Sequence, residues 1–597
     1  MLKVSNGNWK QKDRIRCVSD GLGSSSEILN QVITGKTSGA TAVVDATATF
    51  QQGVDSVSEL ELEIEIISDA KTRSAFLSNL LGVAKLRKKD NDENKDWLGA
   101  KNSFLDSYQK DPSYIDALCN YAHVSVKLRD YKDAYEKLIL KKKDGYNAKI
   151  NEALARIYFF EGDVDKELEL FKENEKNNDL NRITASHFLS SLNYSSKYTQ
   201  KDYLDYCTRV ENKFIITEAE LSKLDKINVK NELNVGFISP DFKEHSVFYF
   251  LNSTLSELKK NLIKVYLFNI RDYSELDGKS KILKNNCDEW VDLYNLTDTD
   301  AVNEIRKKNI NILFDITGHF ARNRINLFKY KPAPIQISWM GYVNSTGLKE
   351  IDYIITDKNL IKKGEENLYT EKILRLKQIW NCHQGFDEKL DINKSPFLKN
   401  GYLTFGCFNN TVKISHECIK VWSKILNQIP DSKLIIKAVS KDAELAQIRI
   451  LQKFSEFGID TKRITFEKTK KERIDHLKMY SKVDITLDTF PYPGVTTSFE
   501  SIWMGVPVLT KNGNNFVSRC GESINLNLGL KDYIAKNDDD YVMKAVLLNK
   551  DRDSLPKLRS SIREIAKKTP LFDTISFGKE FSLILKKVWQ SFKDESS

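Results

Sequence analysis

The spacing of hydrophobic residues changes along this chain, and the change divides it into a helical segment and an α/β region. Between residues 73 and 228, apolar residues recur with helical periodicity. After residue 228, short apolar runs alternate with longer amphipathic stretches. Strands that alternate with helices are typical of parallel sheets with right-handed crossovers. The pattern therefore predicts helices first and parallel sheets afterwards.

The helical segment contains an internal repeat. Trp97 and Tyr131 occupy matching positions 34 residues apart, in the phrases DWLGAKNSFLDSYQKDP and DYKDAYEKLILKK. A third and more degenerate copy, GDVDKELELFKEN, covers residues 162–174. A period of this length is typical of tetratricopeptide repeats, in which each helix pair buries its apolar face only against its neighbours. Residues 73–228 are therefore predicted to form two or three tetratricopeptide-like repeats, with a plain helical bundle as the alternative.

Two successive α/β units are predicted after the repeats. Each unit has short apolar strands separated by helical runs, so each is predicted to be a doubly wound lobe with a parallel sheet. A ligand-binding cleft would lie between the two lobes, at the carboxyl ends of their sheets. The lobes are assigned to residues 229–395 and 396–597. Their strand-like phrases are NVGFI, KVYLFNI and NINILFDI in the first lobe, and YLTFGC, KLIIKAV, RITFEK and DITLDTF in the second.

Residues 1–72 differ in composition from the rest of the chain. They are rich in Gly, Ser, Thr and Val, and residues 33–50 alternate small, β-branched and polar side chains. The phrase ELELEIEII at residues 59–67 has the alternation of a strand. A small β-rich module is predicted, and a flexible leader is the alternative.

Composition places the chain among globular proteins with several domains. It has 597 residues, of which 41% are hydrophobic and 29% charged. We expect neither a signal peptide nor a membrane span, because no apolar segment follows a basic start and no apolar run reaches 18 residues. The eight cysteines form no CxxC pair, which favours reduced thiols and a cytoplasmic protein without a structural metal. The net charge of +9 is spread along the chain, so nucleic acid is not an expected partner.

The clearest candidate for a binding site lies at residues 483–505, VDITLDTFPYPGVTTSFESIWMG. A buried strand ends in Asp488, a Pro/Gly turn follows, and Thr496 and Thr497 stand at the start of an amphipathic helix. The first N–H groups of a helix lack partners within the helix, and the helix dipole favours negative charge there. A diphosphate fits such a site, whereas an ordinary Ser/Thr cap on a packing helix is the alternative.

Several motifs together resemble the family of O-linked N-acetylglucosamine transferases and their bacterial and plant relatives. In chain order they are GFISPDFKEHS, KPAPIQISWMGYVNSTG, DYIITD, FNNTVKIS, DHLKMYSKVDITLDTFPYPGVTTSFESIWMGVPVLT and SRCGES. The resemblance covers residues 230–590, and in this family repeats precede the catalytic lobes. It implies the GT-B glycosyltransferase fold. It also implies inverting transfer of a sugar, with UDP-N-acetylglucosamine as the first expectation, to Ser or Thr hydroxyls of a protein or peptide acceptor.

The resemblance implies two catalytic residues. Lys413 matches the lysine that contacts the diphosphate and offsets its charge, although a lysine in such a position is often only a surface residue. His245 matches the active-site histidine, which acts as a general base or positions the acceptor or sugar. A loop histidine without a role is the alternative. Ser246 follows it where relatives often have proline, which leaves acceptor specificity open.

The same resemblance implies a nucleotide-sugar pocket. Arg473 stands where a lysine often contacts the nucleotide, His476 beside the uracil or ribose, and Glu500 where a carboxylate can bind ribose hydroxyls. Taken singly, each of these residues could also be an ordinary surface or helix residue without a role in binding. Val495 replaces a histidine that lies near the sugar in some relatives, so the sugar is left open. The complete set of implied binding residues is Asn410, Arg473, His476, Thr496, Thr497 and Glu500.

No convincing pair of carboxylates is available to hold a divalent ion, so transfer is predicted to be metal-independent, with the nucleotide sugar as a substrate and no cofactor. Two alternatives stay in view. One is a protein N-glucosyltransferase or O-fucosyltransferase of the same fold. The other is a repeat scaffold with inactive transferase lobes, although the candidate residues are all present. A homodimer through the repeats is a further possibility.

Overall fold

The computed structural model describes residues 75–86, 96–225, 232–272, 276–386, 390–438, 444–470 and 472–596, and the backbone of residues 32–34 and 41–43. The chain divides into two compact units, Met1–Leu154 and Ala155–Ser597. Strands β1 (Val32–Thr34) and β2 (Thr41–Val43) pair antiparallel. The predicted strand at residues 59–67 lies outside the described residues, so the β-rich module stays a prediction.

From residue 75 onwards, the described part of the first unit is helical. Its helices pack closely because small residues lie where they touch: Gly82 leaves room for the Phe104 ring, which a Cβ at this position would approach to 2.6 Å. Ala100 and Ala117 are fully buried for the same reason. The last helix continues into the second unit. The helices are α1 (Ala75–Lys85), α2 (Trp97–Lys110), α3 (Ile115–Lys127), α4 (Lys132–Lys142) and α5 (Ala148–Glu161).

The prediction of a helical repeat region is confirmed. Helices that begin at Trp97 and Lys132 are each followed by a second helix, and the third copy begins a further pair at Val164. Tyr131 and Leu138 are buried, as the repeat pattern requires. The second unit continues the helical series with α6 (Val164–Lys176), α7 (Arg182–Leu192), α8 (Gln200–Glu211) and α9 (Glu218–Leu221).

The first lobe contains a parallel sheet of seven strands within the described residues. Its order is β5-β4-β3-β6-β7-β8-β9. All six residues of the third strand are buried, which is expected when helices cover both faces of a parallel sheet. The strands are β3 (Asn234–Ser239), β4 (Lys264–Asn269), β5 (Glu289–Asp292), β6 (Ile312–Asp315), β7 (Ile335–Ser338), β8 (Tyr353–Asp357) and β9 (Lys372–Leu376). The helices between them are α10 (Ser246–Lys260), α11 (Gly278–Asn286) and α12 (Asp298–Lys307).

The second lobe contains a parallel sheet of six strands, again counted over the described residues. Its order is β12-β11-β10-β13-β14-β15. The strands are β10 (Thr404–Cys407), β11 (Lys433–Ala438), β12 (Ile464–Lys468), β13 (Ile485–Leu487), β14 (Val508–Lys511) and β15 (Ile534–Ala535). Its helices are α13 (Phe397–Asn400), α14 (His416–Gln428), α15 (Glu444–Glu456), α16 (Arg473–Lys478), α17 (Thr496–Trp503), α18 (Cys520–Leu528), α19 (Asp538–Lys550) and α20 (Leu555–Lys567). The predicted pair of parallel α/β lobes is confirmed.

The last helix, α21 (Thr574–Ser596), returns to the first lobe. The ring of Phe581 lies 4.5 Å from that of Trp339 and 5.7 Å from that of Phe314, measured between centroids. The backbone N–H of Lys377 donates to the Glu580 carboxylate at 2.8 Å. A segment assigned to the C-terminal lobe by its position in the chain therefore completes the core of the first lobe.

Two helices of the repeat region also pack on the first lobe through buried polar contacts. Asn193 donates to the hydroxyl of Tyr342 at 3.0 Å, and Tyr203 shares a hydrogen bond of 2.7 Å with the same hydroxyl. Gln200 donates to the side chain of Asn344 at 2.7 Å. The boundary of the compact unit accordingly falls within the repeats, whereas the sequence pattern changes near residue 228.

The described cysteines are free thiols, and most of them are buried. Among the described helices, none combines the length and the apolar character that crossing a membrane would need.

Candidate functional site

The predicted site residues follow the carboxyl ends of neighbouring strands. His245 comes after β3, Asn410 and Lys413 after β10, and Thr496 after β13. In parallel sheets these ends share one edge, and ligands bind there. The edges of the two lobes face each other, because Arg473 of the second lobe lies 3.4 Å from the carboxylate of Glu244 in the first. The candidate site is therefore the cleft between the lobes.

Lys413 lies at the end of a short 3₁₀ turn, Thr411–Lys413, and points towards the loop that precedes α17. Its ammonium donates to the carbonyl of Pro493 at 2.9 Å and lies 3.9 Å from the centre of the Tyr492 ring. Burial lowers the pKa of Lys413 to about 8, against the attraction of Asp488. The positive charge is thus held beside the predicted phosphate site by a carbonyl and an aromatic face.

The start of α17 is not capped by a side chain. The helix begins at Thr496, and the preceding Val495 makes no capping hydrogen bond. The alternative of an ordinary Ser/Thr cap is not formed, since Thr496 and Thr497 are the first two residues of the helix. The hydroxyl of Thr497 donates to Asn409 instead. The first N–H groups of α17 are consequently not satisfied by a side-chain cap and can bind an anion.

A buried network behind this helix start was not singled out from the sequence. The Asp488 carboxylate accepts hydrogen bonds from the Gly494 N–H at 2.7 Å, the Thr510 hydroxyl at 2.8 Å and the Asn409 amide at 3.1 Å. Burial raises the pKa of Asp488. A Cβ at Gly494 would lie 2.4 Å from the Thr497 hydroxyl, so only glycine fits. The network fixes the loop that carries the helix start.

Asn410 directly precedes the 3₁₀ turn that carries Lys413, and its assignment to the diphosphate stays a prediction. It is exposed, and its side chain accepts from the Val412 N–H at 3.3 Å, so it caps the 3₁₀ turn that carries Lys413. Its neighbour Asn409 is buried and reaches the Asp488 network. The Asn-Asn pair signalled a polar turn in the sequence, but nothing local distinguished which of the two side chains points inward.

Arg473, His476 and Glu500 lie together, and their assignment to the nucleotide stays a prediction. Glu500 is buried in the second turn of α17, where its carboxylate pairs with the Arg473 guanidinium and with His476 at 2.9 Å. Tyr480, which was not predicted, donates to the same carboxylate at 3.2 Å. Although burial acts to raise the pKa of Glu500, His476 and Arg473 lower it to about 2. This carboxylate is therefore ionised at neutral pH.

His245 forms the N-cap of α10. Its Nδ1 accepts from the Val247 N–H at 3.4 Å and lies 3.9 Å from the Asp241 carboxylate. Burial lowers the pKa of His245, Lys243 and Arg473 lower it further, and Asp241 opposes them. Because Nδ1 accepts a hydrogen bond, the proton of the neutral ring lies on Nε2. Such a ring is suited to donating a hydrogen bond into the cleft.

The described residues contain no group of three His, Cys, Asp or Glu side chains arranged to hold a metal ion. The prediction of metal-independent transfer is not decided by this observation and stays a prediction.

Comparison with known proteins identifies relatives. The family model described as glycosyl transferase family 41 matches residues 180–384 and 393–581. A tomato protein described as a probable UDP-N-acetylglucosamine–peptide N-acetylglucosaminyltransferase SPINDLY is 32% identical over 69% of this chain and 45% of its own length. A petunia protein of the same description is 34% identical over 61% of this chain and 39% of its own length. The chain thus spans less than half the length of these curated relatives.

A solved structure of an O-GlcNAc transferase mutant from Thermobaculum terrenum resembles this chain with a TM-score of 0.78. It is 24% identical, and the match covers 88% of this chain and 100% of that one. At this identity the likeness concerns the fold, which is GT-B with helices before the lobes. Since the family model matches both lobes and the helices α7 and α8 before them, the chain belongs to glycosyl transferase family 41.

Proposed function

We propose that this chain transfers a sugar from a nucleotide diphosphate to Ser or Thr hydroxyls of proteins, with UDP-N-acetylglucosamine as the donor. The observation that carries the proposal is the position of Lys413. Its ammonium is bonded to the carbonyl of Pro493, in the loop that leads directly into the uncapped start of α17. A cation and a set of free N–H groups at one place form a site for a diphosphate.

The reaction needs negative charge to be stabilised as the nucleotide diphosphate leaves. The N–H groups and dipole at the start of α17 favour that charge, and Lys413 adds a full positive charge. Donors of this kind act most strongly in the transition state, because the charge on the leaving group is then larger than in the bound substrate. The residues in the second lobe are therefore assigned to the donor.

The first lobe provides the acceptor side. His245 stands at the start of α10, with Nε2 as the ring nitrogen that carries the proton. We assign it to hold the acceptor hydroxyl or the sugar in line with the breaking bond. Orientation of this type lowers the barrier by making the encounter of donor and acceptor effectively intramolecular. The same histidine acts as a base at Nδ1 only if Nδ1 gives up its backbone partner, and at Nε2 only if the tautomer changes as well.

Relatives support the choice of donor and acceptor. The tomato, petunia and other SPINDLY proteins carry names that specify UDP-N-acetylglucosamine and a peptide. Val495, however, packs against the apolar core and offers no hydrogen-bonding group where some relatives have a histidine. The free thiols of the described cysteines fit a reducing cytoplasm as the place of action.

A donor panel tests the proposal. The full chain is incubated with UDP-N-acetylglucosamine, UDP-glucose or GDP-fucose, with and without a protein acceptor, and free nucleotide is measured. We expect release of UDP from UDP-N-acetylglucosamine and label on Ser or Thr. Release from GDP-fucose alone, or label on Asn from UDP-glucose, would move the chain to another sugar or acceptor. No release from any donor would favour an inactive scaffold.

A further inference from the structure

The side chain of Arg473 reaches from the second lobe to the first. One of its terminal nitrogens pairs with Glu500, and the other lies 3.4 Å from the carboxylate of Glu244. Its guanidinium also lies 4.8 Å from the centre of the Tyr249 ring. Arg473 is therefore held by a carboxylate on each lobe and by an aromatic face of the first lobe.

Glu244 is bound firmly to the first lobe at its backbone and its side chain. Its N–H donates to Asp277 at 2.8 Å, and its carboxylate accepts from the Tyr249 hydroxyl at 2.9 Å. The next residue in the chain is His245, the acceptor-side histidine of the proposed reaction. Since the two residues are adjacent, a contact that fixes Glu244 also restricts the loop that presents His245.

An aromatic layer runs alongside this contact. The His383 ring stacks on Tyr249 at 5.4 Å and on Phe499 at 5.4 Å, with interplanar angles of 2° and 19°. Phe499 and Glu500 are neighbours on α17. The helix whose start would bind the diphosphate is thus connected to the loop of His245 by two routes, one ionic and one aromatic.

We propose that Glu244 is a positioning residue which, through Arg473, aligns His245 with a donor bound at α17. The proposal rests on the proposed function for its catalytic consequence. Arg473 joins Glu500 to Glu244, so this contact holds the lobes near one relative position. A donor that contacts Glu500 or Arg473 acts on Glu244 through the same guanidinium, and the loop of His245 responds.

The solvent exposure of this ion pair indicates a role in positioning rather than in folding stability. The Glu244 side chain is 45% exposed, whereas that of Arg473 is 20% exposed. An ion pair with one partner so exposed contributes little to folding, because water and salt screen it. A small displacement of a reacting group has a much larger effect on turnover than on stability. Loss of Glu244 should therefore change catalysis and leave folding intact.

The test compares Glu244→Gln and Glu244→Asp with Glu289→Gln, using the full chain. Glu289 lies on the edge strand β5 of the same lobe. It is a matched control, because its side chain is 41% exposed and forms an ion pair with Lys308. Three quantities are measured: UDP affinity by calorimetry, hydrogen exchange at residues 240–248 with and without UDP, and steady-state transfer. GDP is run in parallel with UDP.

We expect Glu244→Gln to bind UDP within about twofold of the unchanged chain and to lose about 10-fold in kcat, less than the 10²-fold cost of a larger misplacement. UDP should slow exchange at residues 240–248 in the unchanged chain and in Glu289→Gln, but not in Glu244→Gln. Glu244→Asp should recover part of both effects, since it keeps the charge.

Equal kcat and equal UDP-induced protection in Glu244→Gln and the unchanged chain would overturn the inference, as would the absence of any UDP-induced or GDP-induced protection in the unchanged chain. Failure of the proposed function has a different signature. In that case no donor gives transfer in the unchanged chain, while the exchange experiment still decides whether Glu244 links the nucleotide site to the loop.

Discussion

The charge of Lys413 is available to a ligand. Within the described residues its ammonium forms no ion pair and is held instead by the Pro493 carbonyl and the Tyr492 ring. A cation that is partly desolvated and not neutralised by a carboxylate in contact interacts strongly with an incoming anion. The residue that the sequence resemblance implies as catalytic thus has the surroundings that such a role needs.

Replacement of this lysine should abolish transfer without unfolding the protein. We expect Lys413→Ala to lose 10²-fold or more in kcat, on the order of the effect of removing one transition-state donor. The measurement is UDP release, with circular dichroism to check folding. Lys433→Ala is the control, because that lysine also lies over a tyrosine ring, Tyr402. It stands at the amino end of β11, whereas the candidate site lies at the carboxyl ends of the strands. Near-normal turnover of Lys413→Ala would remove this residue from the mechanism.

Activity should also fall at alkaline pH. Burial lowers the pKa of Lys413 to about 8, so the free protein carries the charge below that pH and loses it above. We therefore expect kcat/KM for the donor to decline as pH rises through about 8, since this quantity reports the free enzyme. In Lys413→Arg the side chain keeps its charge, and the decline should move to higher pH or vanish. A flat profile between pH 7 and 9.5 in the unchanged chain would contradict this assignment.

His245 should matter for catalysis more than for donor binding. It belongs to the first lobe, whereas the residues assigned to the donor belong to the second. We expect His245→Ala to lower turnover by about 10²-fold, the lower range for a proton-transfer or positioning group, with UDP affinity unchanged in calorimetry. His416→Ala, at the start of α14, serves as the control. A large loss of UDP affinity with preserved turnover at saturating donor would place His245 on the donor side.

At the scale of elements, the sequence predicted what depends on local pattern. Buried strands such as Asn234–Ser239 and Ile485–Leu487 appear where short apolar runs predicted them, because period and length are properties of neighbouring residues. The helix start at Thr496 was located for the same reason. The side-chain contacts at this helix start were not predicted. Which of Asn409 and Asn410 points inward depends on Asp488, a residue distant in the chain.

Contacts between distant segments lay beyond sequence reasoning. The Arg473–Glu244 pair joins the first residue of α16 in the second lobe to a loop of the first lobe, and nothing in either segment signals the other. The docking of Tyr203 on Tyr342 similarly depends on the tertiary arrangement rather than on the helical period that predicts α8. A motif resemblance identifies single residues, whereas such pairs require the three-dimensional positions of both partners.

The start of α17 predicts how the protein handles the diphosphate. A helix N-terminus with free N–H groups and one lysine can bind the phosphates without a divalent ion. We expect full activity in the presence of EDTA. The measurement is UDP release with EDTA and with added Mn²⁺ or Mg²⁺, and activity that depends entirely on added metal would show that a metal site has been missed.

At the scale of the whole molecule, the repeat helices are divided between the two compact units. Helices α1–α4 belong to the first compact unit, while α7 and α8 share buried hydrogen bonds with the first lobe. A buried polar group that loses its partner costs about 1–3 kcal/mol. Removal of α7 and α8 would strand several such groups, including the Tyr342 hydroxyl and the Asn344 amide.

Three truncations should distinguish the role of the helices in the first unit from that of α7 and α8. We expect a chain that starts at residue 73 to keep donor hydrolysis and acceptor transfer. One that starts at residue 146 should keep its cooperative unfolding and donor hydrolysis but lose recognition of protein acceptors. One that starts at residue 229 should unfold at markedly lower temperature. Thermal unfolding and UDP release with and without acceptor are the measurements. Full transfer to protein by the chain starting at 146 would show that the removed repeats do not recognise acceptors.

The return of α21 to the first lobe has a consequence for how the protein is made. The rings of Phe577 and Phe581 pack beside Trp339 in the core of the first lobe. At about 5–20 residues per second, a ribosome needs roughly 10 to 40 s to proceed from the end of the first lobe to this helix. Throughout that time the nascent first lobe exposes an apolar face. We expect it to be held by chaperones and to close its core only when the last helix emerges.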